Sequence, residues 1–339
     1  EIAVQINNPA NAPEQIDTAL RTCITASRPV YIEISNGISE MACRSVPDAP
    51  LKAAPIPTPA GSLEDACAAV LTHMRRSKRL VFMAGSEISR AGAEEDFAKL
   101  CRLADAPYVT SGLGKSVLAE NRSGKSSQKN VQELVSSADC FVAIGVQDTD
   151  FNYLGIVTPD YDPNAPDALP GPTHIQARSG AVLVGRGLAY WGNIEMPDLI
   201  AALITKLEGT GLPNAPFPGL EGTPWDIPPT SAFPSENGPT WDSFKSHLVH
   251  DFLNHCDADD YPTIVADSGF SFVALTNVKS AERGYVAQLA WAAIGYGTGA
   301  SAGVALAQST TENPRRVVTV AGDAAFAETV NAIGLVAQL

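Results

Sequence analysis

The chain has 339 residues, with 23 Lys and Arg against 37 Asp and Glu, for a formal net charge of −14. An acidic chain repels phosphate backbones, which argues against a nucleic-acid or anionic-membrane partner. At 45% hydrophobic and 18% charged it has material for a real core, lacks the run of ~18 apolar residues that spans a membrane, and is long enough for two domains or parts of three.

The first residues, Glu1-Ile2-Ala3-Val4-Gln5-Ile6, read as a strand. They have neither the basic start nor the long apolar stretch of a signal peptide. Ile16, Leu20, Cys23 and Ile24 recur at helical spacing after Ala12-Pro13, and Arg28-Pro29 stops that helix. Val30-Tyr31-Ile32-Glu33-Ile34 follows as a short strand, so residues 1–40 look like the closing unit of a parallel α/β sheet. Dense proline over 41–61 predicts a linker.

A second α/β unit is expected over 62–208. Helices are expected at 63–74, 93–104, 131–137 and 197–207, and buried strands at 79–85, 107–110 and 140–145. Two shorter strands follow at 173–176 and 181–184. Strands alternating with helices and ending in glycine or polar residues predict a doubly wound parallel sheet, three layers deep. Eight prolines between 213 and 239 mark a second linker, over 209–239. The third unit, 240–339, begins with a helix over 241–255. A strand at 263–267, a helix of small residues at 295–308 and a strand at 316–321 complete it.

The sharpest chemical signal is a strand running into Gly322-Asp323-Ala324-Ala325-Phe326 and then a helix. Small residues let a backbone approach phosphates, the helix start favours anions, and Asp323 offers a hard oxygen to Mg²⁺. Gly-Asp pairs after strands are also ordinary turns. Upstream, Asp267-Ser268-Gly269-Phe270-Ser271-Phe272 ends another buried strand. Between the two lies Gln288-Leu289-Ala290-Trp291-Ala292-Ala293-Ile294-Gly295-Tyr296.

In this order the three motifs resemble the diphosphate-binding domain of thiamine-diphosphate enzymes, nearest the pyruvate, indolepyruvate and branched-chain 2-oxo acid decarboxylases. Residues 8–34 are similar to the end of that family's pyrimidine-binding domain. Gly112-Leu113-Gly114-Lys115-Ser116-Val117 and Asp148-Thr149-Asp150-Phe151-Asn152 resemble its central domain. The resemblance implies thiamine diphosphate and Mg²⁺ as cofactors. Asp323 would bind the metal. Gly322, Ala324 and Ala325 would contact the diphosphate, with Ser268, Gly269, Phe270 and Ser271 on its other side. Ala292 would hydrogen-bond the aminopyrimidine through its backbone. Ile294 would be the catalytic wedge that bends the cofactor into a V.

The implied reaction converts a small 2-oxo acid into CO₂ and an aldehyde. An acetolactate-synthase-like carboligase and a non-catalytic homologue are the alternatives. The implied assembly is a homodimer or homotetramer. Ala324 stands where the family has glycine, and Phe270 where it has a small or polar residue. The family's pyrimidine-activating Glu, its paired histidines and the Asn half of its metal motif fall outside 1–339, which fits a fragment of a longer enzyme or a degenerate homologue.

The six cysteines (Cys23, Cys43, Cys67, Cys101, Cys140, Cys256) have no CxxC pair, as expected of free thiols in a cytoplasmic protein. His247, His250 and His255 share a helix whose preferred reading is a solvated face rather than a metal site. The basic run Arg75, Arg76, Lys78 and Arg79 is read as a solvated helix end.

Overall fold

The computed structural model describes residues 2–26, 28–45, 51, 57–120, 131–153, 173–185, 188–212, 215, 217 and 240–337. The proline-dense parts of both expected linkers lie outside the described residues. The chain forms two compact units, Glu1–Thr58 and Pro59–Leu339.

In the first unit, β1 (Ala3–Ile6) and β2 (Tyr31–Ile34) pair in parallel, with Ala3 opposite Tyr31 and Ile6 opposite Ile34. Parallel neighbours need a crossover, and α1 (Ala12–Ala26) supplies it. Asn8 caps the 3₁₀ turn before it, its side chain accepting from the Ala10 amide at 3.0 Å. Ile6 and Ala19 are buried between helix and sheet.

The second unit holds two sheets. The larger is six-stranded, in the order β4-β3-β5-β6-β7-β8. Its helices and strands run as α2 (Ala60–Arg76), β3 (Leu80–Ala84), α3 (Ser86–Ala91), α4 (Glu94–Leu103), β4 (Tyr108–Thr110), α5 (Val131–Ser137), β5 (Cys140–Ile144), α6 (Asp150–Tyr153), β6 (Thr173–Arg178), β7 (Ala181–Val184), β8 (Ala189–Gly192) and α7 (Met196–Leu207). Alternation of side chains along β3 sends Leu80, Phe82 and Ala84 to the face covered by α2, α4 and α7. Val81 and Met83 go to the face covered by α5 and Tyr153. Three layers result. β4, β3, β5 and β6 are parallel, as expected. β7 runs antiparallel to β6, because the two-residue turn Ser179-Gly180, with Gly180 at φ +80°, reverses the chain too tightly for a crossover, and β8 pairs antiparallel with β7.

The smaller sheet has the order β10-β9-β11, all parallel. It is reached through α8 (Trp241–His247), whose capping box pairs Thr240 with Ser243. The single helix expected over 241–255 is broken: a π turn over Leu248–Phe252 and a 3₁₀ turn over Leu253–His255 follow α8. Then come β9 (Thr263–Ala266), α9 (Phe270–Leu275), β10 (Tyr285–Ala287), α10 (Tyr296–Ser309), β11 (Val317–Val320), α11 (Asp323–Glu328) and α12 (Ile333–Val336). Ile264 and Ala266 face a core of Leu253, Phe272, Leu275, Val278 and Tyr285. The chain leaves β9 for β10 on one side and returns to β11 on the other. The ends of β9 and β11 therefore flank a switch in strand order, where open α/β sheets hold ligands.

No helix among the described residues is long and apolar enough to cross a membrane.

Candidate cofactor site

Register sets the site. Val320 pairs with Ala266, and the Asp267 amide donates to the Val320 carbonyl at 2.9 Å. The turns that follow, Ser268-Gly269 and Gly322-Asp323, thus leave adjacent strands at the same edge. Gly269 has φ +101°, a region that glycine enters without steric cost. An added Cβ at Gly269 or Gly322 would meet nothing within 4 Å, so both backbones are open to an approaching group. The Asp323 carboxylate is exposed at the start of α11, Ala324 is exposed beside it, and Ala325 is buried beneath. Phe270 is exposed, and Ser271 is buried in the first turn of α9.

The organiser of the site is a residue that the motif reading left out of its site list. Asp267 is fully buried. Its Oδ1 accepts from the Ser268 amide at 2.6 Å and the Gly295 amide at 3.0 Å, and its Oδ2 accepts from the Gly297 amide at 2.8 Å. Charge-assisted bonds of this kind are strong, and here they join the end of β9 to the start of α10. Gly297 has to be glycine: a Cβ there would lie 2.9 Å from Asp267 Oδ2. The Ser268 hydroxyl adds a second tie, donating to the Ala293 carbonyl at 2.9 Å. The signal was present in the sequence, since Asp267 opens the Asp-Ser-Gly motif.

The segment 288–296 is shaped by Gln288. Its Oε1 accepts from the Trp291 amide at 2.8 Å and from the Ala292 amide at 3.0 Å, and Ala292 sits at φ +47°. Because that amide is committed, any backbone contact from Ala292 to a ligand has to come from its carbonyl. Ile294 is 66% exposed, so it is not a core aliphatic. The Thr329 hydroxyl donates to the Gly295 carbonyl at 2.7 Å, tying this segment to the end of α11.

An open groove of about 650 Å³ runs along Ile294, Gly295 and the Gly299, Ala300 and Gly303 face of α10. Ser268, Gly269 and Asp323 are not in its wall. The site thus has two features, a polar edge formed by the two turns and an apolar groove, with Ile294 bordering the groove. No group of three or more His, Cys, Asp or Glu side chains could hold a metal among the described residues. Asp323 offers one hard carboxylate ligand. The open glycines, the hydroxyl-bearing turn and this carboxylate fit a diphosphate with its metal.

His247 Nδ1 lies 2.5 Å from Asp251 Oδ2 across one helical turn, and His250 pairs with Asn254. All six cysteines are free.

Residues 67–192 match the family described as thiamine pyrophosphate enzyme, central domain, and residues 267–339 match thiamine pyrophosphate enzyme, C-terminal TPP binding domain. Thiamine diphosphate with Mg²⁺ is the cofactor of such domains. Over 346 residues the chain is 25% identical to pyruvate decarboxylase isozyme 1 of Saccharomyces cerevisiae, covering 98% of this chain and 57% of that protein. It is 25% identical to pyruvate decarboxylase 1 of Zea mays over 331 residues, covering 95% of this chain and 50% of that protein. The pyruvate decarboxylase of Kluyveromyces lactis is 23% identical over 342 residues. The chain spans about half the length of these relatives.

Proposed function

We propose that this chain, which belongs to the thiamine pyrophosphate enzymes, is part of a thiamine-diphosphate- and Mg²⁺-dependent non-oxidative 2-oxo acid decarboxylase. Its substrate is a small 2-oxo acid of the pyruvate, indolepyruvate or phenylpyruvate type, and its products are CO₂ and an aldehyde. What supports the reading is the register that brings the 268–271 and 322–325 turns to one edge of a switched sheet.

In this reading Asp323 binds Mg²⁺, and the open backbone of Gly322 and Ala324 approaches the diphosphate over buried Ala325. The turn of Ser268, Gly269, Phe270 and Ser271 closes the opposite side, held by Asp267. When bound, the thiazolium ring supplies a carbon nucleophile and an electron sink for loss of CO₂. This chain's own part is to fix geometry. Ile294 props the bend between the two cofactor rings, and the Ala292 carbonyl accepts a hydrogen bond from the aminopyrimidine. A bend imposed in advance saves the entropy of reaching a reactive conformer. We assign residues 1–40 to the end of a pyrimidine-binding domain, 62–208 to the central domain and 240–339 to the diphosphate-binding domain. A cytoplasmic homodimer or homotetramer is the expected form, on the six free thiols and the family's placement of the cofactor between subunits.

Calorimetric titration with thiamine diphosphate, with and without Mg²⁺, tests the site. Binding that requires Mg²⁺ and is lost in Asp323→Ala is the expected result. No binding, either by this chain or by a longer protein containing it, overturns the reading. Binding without CO₂ release from any 2-oxo acid in the longer protein favours a non-catalytic homologue.

A further inference from the structure

The 268–271 turn belongs to the smaller sheet, and polar contacts from the segment after β4 of the larger one reach the loop that leads into β10. After β4 the chain buries Lys115, Ser116 and Glu120. Lys115 Nζ and Glu120 Oε2 are 2.7 Å apart, with side chains 2% and 1% exposed. A buried charge pair of this kind needs its remaining bonding capacity filled. Ser280, in the loop between α9 and β10, supplies part of it: Glu120 Oε2 accepts from the Ser280 amide at 3.1 Å, and the Glu120 amide donates to the Ser280 carbonyl at 2.8 Å.

Ser116 continues the seam. Its carbonyl accepts from the Arg283 amide at 2.7 Å, and its hydroxyl oxygen accepts from the Tyr285 amide at 2.9 Å. Ser116 at φ +64° and Arg283 at φ +51° are both left-handed without being glycine, and they meet each other here. Two disfavoured conformations joined by one bond persist only where the surroundings over-determine them. The Arg283 side chain reaches back to Glu94 Oε1 at 2.5 Å and to the Ser89 carbonyl at 3.2 Å.

Everything converges on Tyr285. Lys115 Nζ lies 5.3 Å from the centre of its ring. Its hydroxyl donates to the Phe272 carbonyl at 2.9 Å. Burial raises the phenol above its ordinary pKa, so the hydroxyl stays a donor. Phe272 lies in α9, a six-residue helix, and its carbonyl is among the last four, which lack an ordinary helical partner.

We propose that Tyr285 is a positioning residue for the diphosphate turn: held by Lys115 and Ser116 of the segment after β4, it caps α9 and so fixes where residues 268–271 present their backbone and hydroxyls. The proposal rests on reading that turn as the diphosphate site. It makes cofactor affinity depend on a seam between two sheets rather than on the smaller sheet alone.

Tyr285→Phe keeps the ring and removes only the donor. Hydrogen exchange followed by mass spectrometry reads the turn directly, without a ligand. Loss of one buried hydrogen bond is expected to speed exchange of the 268–276 peptide about fivefold. Peptides covering β3 and β5 stay unchanged. Thiamine diphosphate, titrated calorimetrically at saturating Mg²⁺, is expected to bind about fivefold more weakly, and saturating cofactor restores the slow exchange. Unchanged exchange over 268–276 overturns the proposal. So does an equal rise throughout 240–337, which a purely structural role produces, and so does wild-type cofactor affinity in the variant. If the wild-type chain binds no cofactor while the local exchange effect is present, the functional reading falls and the positioning of the turn stands. Ser116→Ala, which removes the acceptor for the Tyr285 amide, repeats the comparison should Tyr285→Phe fail to fold.

Discussion

The two sheets of the second unit are built to different standards of burial. In the larger one, every residue of β3 and β5 is buried, and α7 presents Met196, Leu199, Ile200, Leu203, Ile204 and Leu207 to its core. In the smaller one, β9 is buried throughout, but β11 is only half-buried and α10 buries just Gly297, Thr298 and Ala302. Around the candidate site Trp291 is 86% exposed, Phe270 73% and Ile294 66%. Burial at roughly 25 cal/mol per Å² of apolar surface puts most of the stability in the larger sheet. The smaller sheet leaves these apolar groups exposed at the edge of the candidate site, as binding surfaces do. Burial is thereby concentrated in one sheet and exposure in the other, within one unit.

The largest expected effect is in the larger core. Phe97 is fully buried, with edge-on ring contacts to Phe82 at 6.1 Å and Tyr108 at 5.8 Å. Phe97→Ala should cost ~3–5 kcal/mol in urea unfolding. Phe326→Ala in α11, where the ring is 40% exposed, should cost less than ~1 kcal/mol. Equal losses would break the comparison.

Asp267→Ala comes next. It leaves three backbone amides without their acceptor and should cost about 3 kcal/mol. Cofactor affinity should fall at least tenfold by calorimetry, roughly the loss of one charge-assisted bond. A variant that keeps wild-type affinity would remove Asp267 from its organising role.

Alkaline pH probes the larger sheet again. Burial raises the Cys140 thiol from 9.0 to about 12. Between those values the folded chain keeps a proton that the unfolded chain releases, so stability falls as pH rises from 9 towards 12, by up to ~1.4 kcal/mol per pH unit. Urea midpoints at pH 9, 10 and 11 measure the slope, and Cys140→Ala should make it shallower, with the remainder coming from the other buried thiols and phenols, Cys67, Cys101, Tyr261 and Tyr285. A slope identical in wild type and variant would detach it from this thiol.

The smallest effect on stability and a decisive one on binding should come together in Asp323→Ala. The side chain is exposed, so unfolding should change by no more than ~0.5 kcal/mol. Mg²⁺-dependent cofactor binding should disappear. A large loss of stability would show that the residue serves the scaffold.

The larger sheet was the easier part to read from sequence. The continuous apolar runs of β3 and β5 announce strands buried on both faces, and α5 and β7 lie where periodicity and turn residues put them. The short elements were not legible: α3, β8 and α9 have four to six residues and owe their shape to neighbours. Nor was the break after α8, since 241–255 keeps helical residue types while its hydrogen bonding changes from α to π to 3₁₀. The motif reading named both turns and Ile294. It did not reach Tyr285, whose partners lie 13 residues away at Phe272 and 169 away at Ser116, because no local pattern encodes such contacts.

The bond from the Thr329 hydroxyl to the Gly295 carbonyl has a mechanical consequence. Thr329 immediately follows the six-residue helix that begins with Asp323, and Gly295 immediately follows Ile294. A Cβ on Gly295 would already lie 3.0 Å from the Thr329 methyl and 3.2 Å from the Ala325 carbonyl, so there is little slack between them. Asp323 and Ile294 are thus joined by one short helix and one hydrogen bond, with no room between them for so much as a methyl group.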